Sequence, residues 1–153
     1  MTTAMETWFT RRNGRKTEHN WPSNFWIEPD GTHVEAEYQA EKHRGHPWRQ
    51  ITILRCKPGK AKKLGRRWPL SEYQLMEWNN RKIGVMRDLL RRKMYDHPEI
   101  FVALAMTDNE QLVELNWWHD NEWGDCTCLH CYRVGQNLLG KLWMELRDEI
   151  QAP

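Results

Sequence analysis

Apolar positions recur at the helical period along much of this chain. Between residues 72 and 95, Met76, Ile83, Met86 and Leu90 fall on one stripe that Val85 and Leu89 widen, which predicts a long amphipathic helix. His97-Pro98 ends it, because the residue before a proline avoids the α region. Pro98 then opens another helix, running to residue 105, and Thr107-Asp108-Asn109 closes it. Residues 137–149 place Leu139, Leu142 and Leu146 on one face, which Ile150 continues. Pro58 suits the first turn of a short helix and Gly65 its C-terminal cap. Over residues 35–44 helix formers prevail. There Glu35, Gln39 and Lys42 are spaced i, i+4, i+7 on a single face, and Tyr38 and Ala40 are left to pack.

β-Structure is sparse in this reading. The turn signal Pro29-Asp30-Gly31 is consistent with a short strand or hairpin over residues 25–34. Residues 1–20 carry Thr, Arg, Asn and Lys with only Trp8 and Phe9 as apolar anchors, so a mobile or loosely docked arm is expected there. The domain proper starts near Trp21 and runs to the end, residues 21–153. No internal repeat or low-complexity linker calls for a second domain.

Composition narrows the picture. A chain of 153 residues suits one domain, but a mean hydropathy of −0.90 and 29% charged residues leave a lean core. Ten tryptophans supply much of it. Each keeps an N–H to satisfy, so some of the rings are expected to line a pocket. A net charge of +2 is too mild for a dedicated nucleic-acid binder. Basic runs at residues 57–67 and 87–93 either form solvated helix faces or steer a phosphate-bearing substrate. No apolar run approaches a membrane span and the first residues lack the pattern of a secretory signal, so a soluble, cytoplasmic protein with no membrane partner is expected.

Four cysteines are then expected to stay reduced. Cys126-x-Cys128-x-x-Cys131, with His119 and His130 nearby, could nearly complete a tetrahedral zinc site. A structural zinc site normally draws on two knuckles, however, and only Cys56 stands elsewhere. Plain thiols, no metal and no cofactor are the favoured reading.

Three separated segments carry candidate chemistry: Glu35-x-x-Tyr38-Gln39-Ala40-x-Lys42, Trp118-His119-Asp120-x-x-Trp123-Gly124 and Gly135-Gln136-Asn137-x-x-Gly140. Together they join a lysine, carboxylates, flat aromatic rings and glycine turns, the parts needed to hold a ribosyl group and break its bond to a nitrogen base. Cleavage of that bond passes through an oxocarbenium-like state, which profits from a carboxylate near C1′ and a proton donor for the departing nitrogen. Glu35 and Asp120 are the candidates. A lysine can instead trap the open-chain sugar as an imine, provided burial or a neighbouring cation leaves some free amine. Lys42 fits, although a nearby carboxylate opposes the shift. Trp78 and Trp123 are candidates for stacking on the base or flanking the sugar, against plain core packing. Arg66 and Arg81 could grip phosphates, against surface ion pairing. Asn24 and Asn137 lie in turn-like settings where capping is the alternative, and Gly124, Gly135 and Gly140 more simply serve close packing.

These segments, with Ser23-Asn24-Phe25, Ala61-Lys62-x-x-Gly65-Arg66, Trp78-x-x-Arg81, Val85-Met86, His97-Pro98 and Leu112-Val113-Glu114, occur in the order seen in the NADAR (YbiA-like) family. The resemblance covers nearly the whole chain from Trp21. It implies an α+β, mainly helical fold, a single NADAR domain with a small β element near its start. It also implies N-glycosidase chemistry: removal of ADP-ribose from guanine in nucleic acid, or hydrolysis of ribosylamino-pyrimidine phosphates of riboflavin synthesis. The expected partners are therefore an ADP-ribose-containing or ribosyl-phosphate substrate, carried in the first case by DNA or RNA. In the family the lysine matching Lys42 attacks the sugar while the acids matching Glu35 and Asp120 assist. Asn24, Phe25, Gln39, Arg66, Trp78, Arg81, Trp123 and Asn137, which lie in the matching segments, are the expected substrate-binding residues. The chain departs from the family at Ala36, where many members carry histidine, and in a shorter segment between Asn24 and Glu35. A reader that binds ADP-ribose or an NAD-like ligand without cutting it would need no Lys42, and the intact acid and lysine positions favour a hydrolase over it.

Overall fold

The computed structural model describes residues 20–152, which form two compact units, 24–93 and 94–152 together with 20–23. The expected arm at residues 1–20 lies outside the described residues apart from Asn20. The architecture is α+β and mainly helical, as expected. Among the described residues no helix is long and apolar enough to cross a membrane.

The 24–93 unit is built on α1 (Val34–Lys42), α2 (Pro47–Leu54), α3 (Pro58–Arg67) and most of α4 (Glu72–Asp96). His33 caps α1 with its side chain, Nδ1 accepting from the Ala36 amide at 3.1 Å while Nε2–H donates to the Cys56 carbonyl at 2.8 Å. Proline opens both α2 and α3, where a missing N–H costs nothing. Ala36, Ala40, Ile53 and Ala61 make a small buried cluster against which Cys56, Leu64 and Trp68 pack. Alanines facing one another let these short helices approach closely.

The end of α3 is set by Pro69. Its ring forces Trp68 out of the α region, to φ −80 and ψ 120, and it has no N–H to give the carbonyl of Gly65 four residues back. Gly65 therefore lies inside the helix and Trp68 is the C-cap, a correction to the expected Gly65 cap. A reciprocal capping box then starts α4: Gln74 N–H donates to Ser71 Oγ at 3.2 Å and Ser71 N–H to Gln74 Oε1 at 3.0 Å.

Two further differences from the sequence reading have local causes. Residues 25–34 hold a tight turn, with Gly31 N–H on the Glu28 carbonyl and Thr32 on Asp30 Oδ1, and no strand. Asp30 and Gly31, at φ 89, satisfy that turn by themselves. On α4, Met76 and Ile83 are exposed, and the buried positions are Trp78, Met86, Leu90, Lys93 and Met94. The stripe is rotated because Trp78 outweighs a methionine in burial and because the stem of Lys93 is apolar. Lys93 lies fully buried with Nζ 5.1 Å from the Trp26 ring.

In the 94–152 unit, α5 (Pro98–Ala105) and α6 (Leu138–Gln151) pack with Ile100, Leu104, Leu112, Leu139, Trp143 and Leu146 buried. Trp143 meets Trp21 edge to face at 5.0 Å and donates its Nε1–H to the Pro22 carbonyl. Burying one such ring removes about 150–250 Å² from water, an upper estimate of about 4–6 kcal/mol. The β element lies here and not near the start: β1 (Leu115–Asn116) and β2 (Asp125–Cys126) pair in parallel, Leu115 opposite Asp125 and Asn116 opposite Cys126.

Candidate active site

Lys42 ends α1, and the carbonyl of Gly65 receives it. Because Pro69 withholds its N–H, the Gly65 oxygen keeps both lone pairs for side chains, and it accepts from Lys42 Nζ at 3.2 Å and from His43 Nε2–H at 3.0 Å. The carbonyl end of α3, with its partial negative charge, is thus turned on the ammonium. Burial nevertheless pushes the Lys42 pKa below its ordinary value, the positive charges of Arg66 and Lys82 push it the same way, and Glu35 opposes them. Net, the amine is easier to deprotonate than a surface lysine.

One turn back on α1, Gln39 Nε2 donates to Glu35 Oε2 at 2.8 Å, and both side chains are buried. Gln39 lies flat against Gly65. A Cβ at position 65 would collide with Gln39 Oε1, so glycine is required there by close approach and not by backbone angle. Gln39 Oε1 is buried without a protein partner, and so is Asn24 Oδ1. Asn24 is tied to the start of α1, its carbonyl accepting from the Glu35 amide at 3.0 Å, and its Nδ2 lies 3.6 Å from Met86 Sδ. Two orphan side-chain carbonyl oxygens, one on the residue that pairs with Glu35, are costly unless a ligand or a water donates to them.

The other expected residues of this unit are placed as follows. Trp78 is 4% exposed, packed 4.9 Å from the Tyr38 ring. The Arg81 guanidinium lies 4.9 Å above Trp78 and is bound to α1, Nη2 to the Glu41 carbonyl at 2.6 Å and Nη1 to Glu41 Oε2 at 3.2 Å. Arg66 is exposed on α3, and Phe25 is half-buried with Lys62 Nζ 5.8 Å from its ring. Glu35, Gln39, Lys42, Asn24 and the Arg66-bearing helix therefore share one neighbourhood, while Trp78 and Arg81 stand behind α1.

In the 94–152 unit, Asp120 Oδ1 accepts from the amides of Glu122 and Trp123 at 3.1 and 3.0 Å, and Asn116 brackets its backbone on both sides. Trp123 is half-buried. Asn137 stands before α6 at φ 55, a left-handed position that asparagine tolerates. Its Nδ2 donates to the Leu112 carbonyl at 2.8 Å and its Oδ1 accepts from Glu114 N–H at 2.9 Å. Side chains at Gly124, Gly135 and Gly140 would run into neighbouring backbone.

His43 escaped the sequence reading. It is fully buried, and with Nε2–H on Gly65 its Nδ1 is left to accept from Arg49 Nη1 at 3.3 Å; burial keeps its pKa low and the ring neutral. The usable signal was its place directly after Lys42 at the helix end.

The NADAR domain family matches residues 9–151, nearly the whole chain. This chain belongs to the NADAR family. Among its relatives is the N-glycosidase Npun_R5314 of Nostoc punctiforme, 35% identical over 141 residues, covering 84% of each chain. The N-glycosidase YbiA of Escherichia coli is 33% identical over 116 residues, 76% of this chain and 68% of that one. The NMR structure of E. coli YbiA superposes with a TM-score of 0.70, covering 88% of this chain and 79% of YbiA. The helical NADAR architecture described above is therefore shared with a solved relative.

Proposed function

We propose that this NADAR protein removes ADP-ribose from ADP-ribosylated guanine in nucleic acid, with Lys42 as the attacking amine. It is a hydrolase acting on N-glycosyl bonds, the class its relatives' names carry. The observation that carries the mechanism is the half-buried Lys42, its pKa lowered by burial and by Arg66 and Lys82, held on the Gly65 carbonyl one helical turn from Gln39 and two from Glu35. A free amine can add to ribose C1′ as the C1′–N bond to guanine breaks and a proton passes to the departing nitrogen. The ring opens to an imine on Nζ; water then adds to C1′, the Lys42 amine leaves, and the free sugar is released. Glu35 supplies the carboxylate beside C1′, and the orphan oxygens of Gln39 and Asn24 accept ribose hydroxyls. From the family resemblance we assign Asp120 as a second acid and Trp123 as a stacking ring.

The guanine-linked substrate is favoured over a small nucleotide by α3. The helix whose carbonyl holds Lys42 exposes Lys60, Lys63, Arg66 and Arg67, with Lys57 at its N-cap, a basic face suited to a polyanion. The test is incubation with guanine-ADP-ribosylated oligonucleotide and, separately, with ribosylamino-pyrimidine phosphates, followed by mass spectrometry. Release of ADP-ribose with restored guanine is expected. Turnover of the pyrimidine phosphates alone would overturn the substrate, and binding of ADP-ribose without release from either would overturn the enzyme.

A further inference from the structure

We infer that His119, Cys126, Cys128 and Cys131 form a structural zinc site, one that stands apart from the N-glycosidase reading. The ligand atoms of all four residues lie within 4.8 Å of one another. His119 Nδ1 is 3.2 Å from Cys131 Sγ, 3.4 Å from Cys128 Sγ and 3.7 Å from Cys126 Sγ. A tetrahedral zinc with bonds of about 2.3 Å to sulfur and about 2.0–2.1 Å to nitrogen sets each N···S edge at about 3.6 Å. The observed edges bracket that value.

Hydrogen bonding does not explain the arrangement. Nδ1 of an imidazole has either one lone pair or one hydrogen, so it can bond at most one of three converging sulfurs well. Around a shared cation all three contacts are edges of one polyhedron and need no proton. Three thiolates and an imidazole also form a soft donor set, which selects zinc over magnesium or calcium.

The surroundings fit a metal clasp. The Cys131 amide donates to Cys128 Sγ at 3.3 Å, a contact that steadies a metal-bound thiolate, and Asn121 Oδ1 holds the Cys126 amide at 3.0 Å. Cys126 itself is buried on β2, pinned against Asn116. The fourth ligand is delivered by a left-handed residue, His119 at φ 68, and the chain leaves the cluster through Tyr132 and Arg133, both at φ 59. Such positions cost about 1 kcal/mol or more each for non-glycine residues. The loop has little apolar burial to offset them: Leu129, Tyr132 and Val134 are 90, 79 and 71% exposed. Metal bonds supply what packing does not, as in other small loops without a core. With four protein ligands the coordination shell is closed, so the zinc holds the segment that carries Asp120 and Trp123 and presents no open position to substrate.

The experiment is elemental analysis of the full chain expressed in zinc-supplemented medium, purified under reductant and dialysed. One zinc per chain is expected. His119→Ala and Cys128→Ser should each lower retained zinc by about tenfold or more, whereas Cys56→Ser, at a thiol bonded to the Thr52 carbonyl, should keep it. Should the ligand variants fail to fold, cobalt added to the metal-stripped wild type reads the same site: intense visible bands and a thiolate charge-transfer absorption report tetrahedral sulfur ligation. Zinc below about a tenth of an equivalent with no such cobalt spectrum would overturn the site. A mass deficit of two hydrogens under reductant, marking a disulfide among these cysteines, would do so as well.

Discussion

Replacing Gly65 with alanine tests the contact on which the Lys42 environment is built. In a helix interior Gly→Ala ordinarily gains about 1 kcal/mol. At Gly65 the three atoms nearest the new methyl all belong to Gln39, Oε1, Cδ and Cγ, the last at 2.9 Å. Overpacking of this kind costs about 1–3 kcal/mol, so Gly65→Ala should end neutral to about 2 kcal/mol destabilised. Gly84 in α4 is the control, since nothing lies within 4 Å of its added Cβ. At this chain length about 1 kcal/mol moves Tm by about 2–4 °C, so Gly84→Ala should raise Tm by that amount and Gly65→Ala should not. Truncating Gln39 to alanine removes the three atoms nearest the methyl. In that background Gly65→Ala should recover its gain, giving a coupling of about 1–3 kcal/mol by urea unfolding. Equal stabilisation by Gly65→Ala and Gly84→Ala in the wild-type background would refute the reasoning.

Borohydride added during turnover should trap an adduct of protein plus reduced ADP-ribose that maps to Lys42, and Lys42→Arg should lose both trapping and activity because guanidinium does not deprotonate; substantial turnover by the arginine variant would remove the imine route. Lys82→Gln removes a cation that depresses the Lys42 pKa, so the limb of kcat/KM that rises with pH should move to higher pH, and an unmoved limb would detach Lys42 from that ionisation. His33 and His43 are buried with pKa values held below 6.5, so the folded state resists protonation that the unfolded chain accepts. Their stabilising contribution is complete above pH 6.5 and falls as pH drops from there through the folded values, which urea midpoints across that range should record. Trp78→Ala should cost about 3–5 kcal/mol in unfolding, as its burial against Tyr38 requires; a stability change under about 1 kcal/mol would show that it is not a core residue.

Several helix bounds were legible from proline: α5 begins at Pro98, α3 at Pro58, and α4 ends at the residue before His97-Pro98, whereas Pro47 at the start of α2 and Pro69 after α3 were passed over. α2 was not, because its Ile51-Thr52-Ile53 is β-branched and its N-cap His46 makes no side-chain bond. The face joining Glu35, Gln39 and Lys42 followed from helical spacing alone. What meets that face could not, since Gly65 reaches it only through the packing of α3 on α1. Spacing also pointed to Cys126, Cys128 and Cys131 with His119 or His130 nearby, but that His119 is the histidine whose ring meets the three sulfurs depends on a left-handed backbone angle that no local pattern announces. Met86 and Leu90 are buried as the stripe predicted, but Met76 and Ile83 were misplaced because Trp78 was weighed as a pocket ring and left out of the apolar stripe.

Pro69 has a consequence for how this chain can drift. Nineteen of the twenty amino acids bring an amide hydrogen to that position, and any of them can extend α3 by one bond onto the Gly65 oxygen. Lys42 and His43 would then compete with the backbone for an acceptor they now share alone. A single codon change at a site that bonds to neither side chain directly can thereby loosen the hold on Lys42 and His43, so the anchoring of both side chains depends on an imino acid that makes no bond of its own to either.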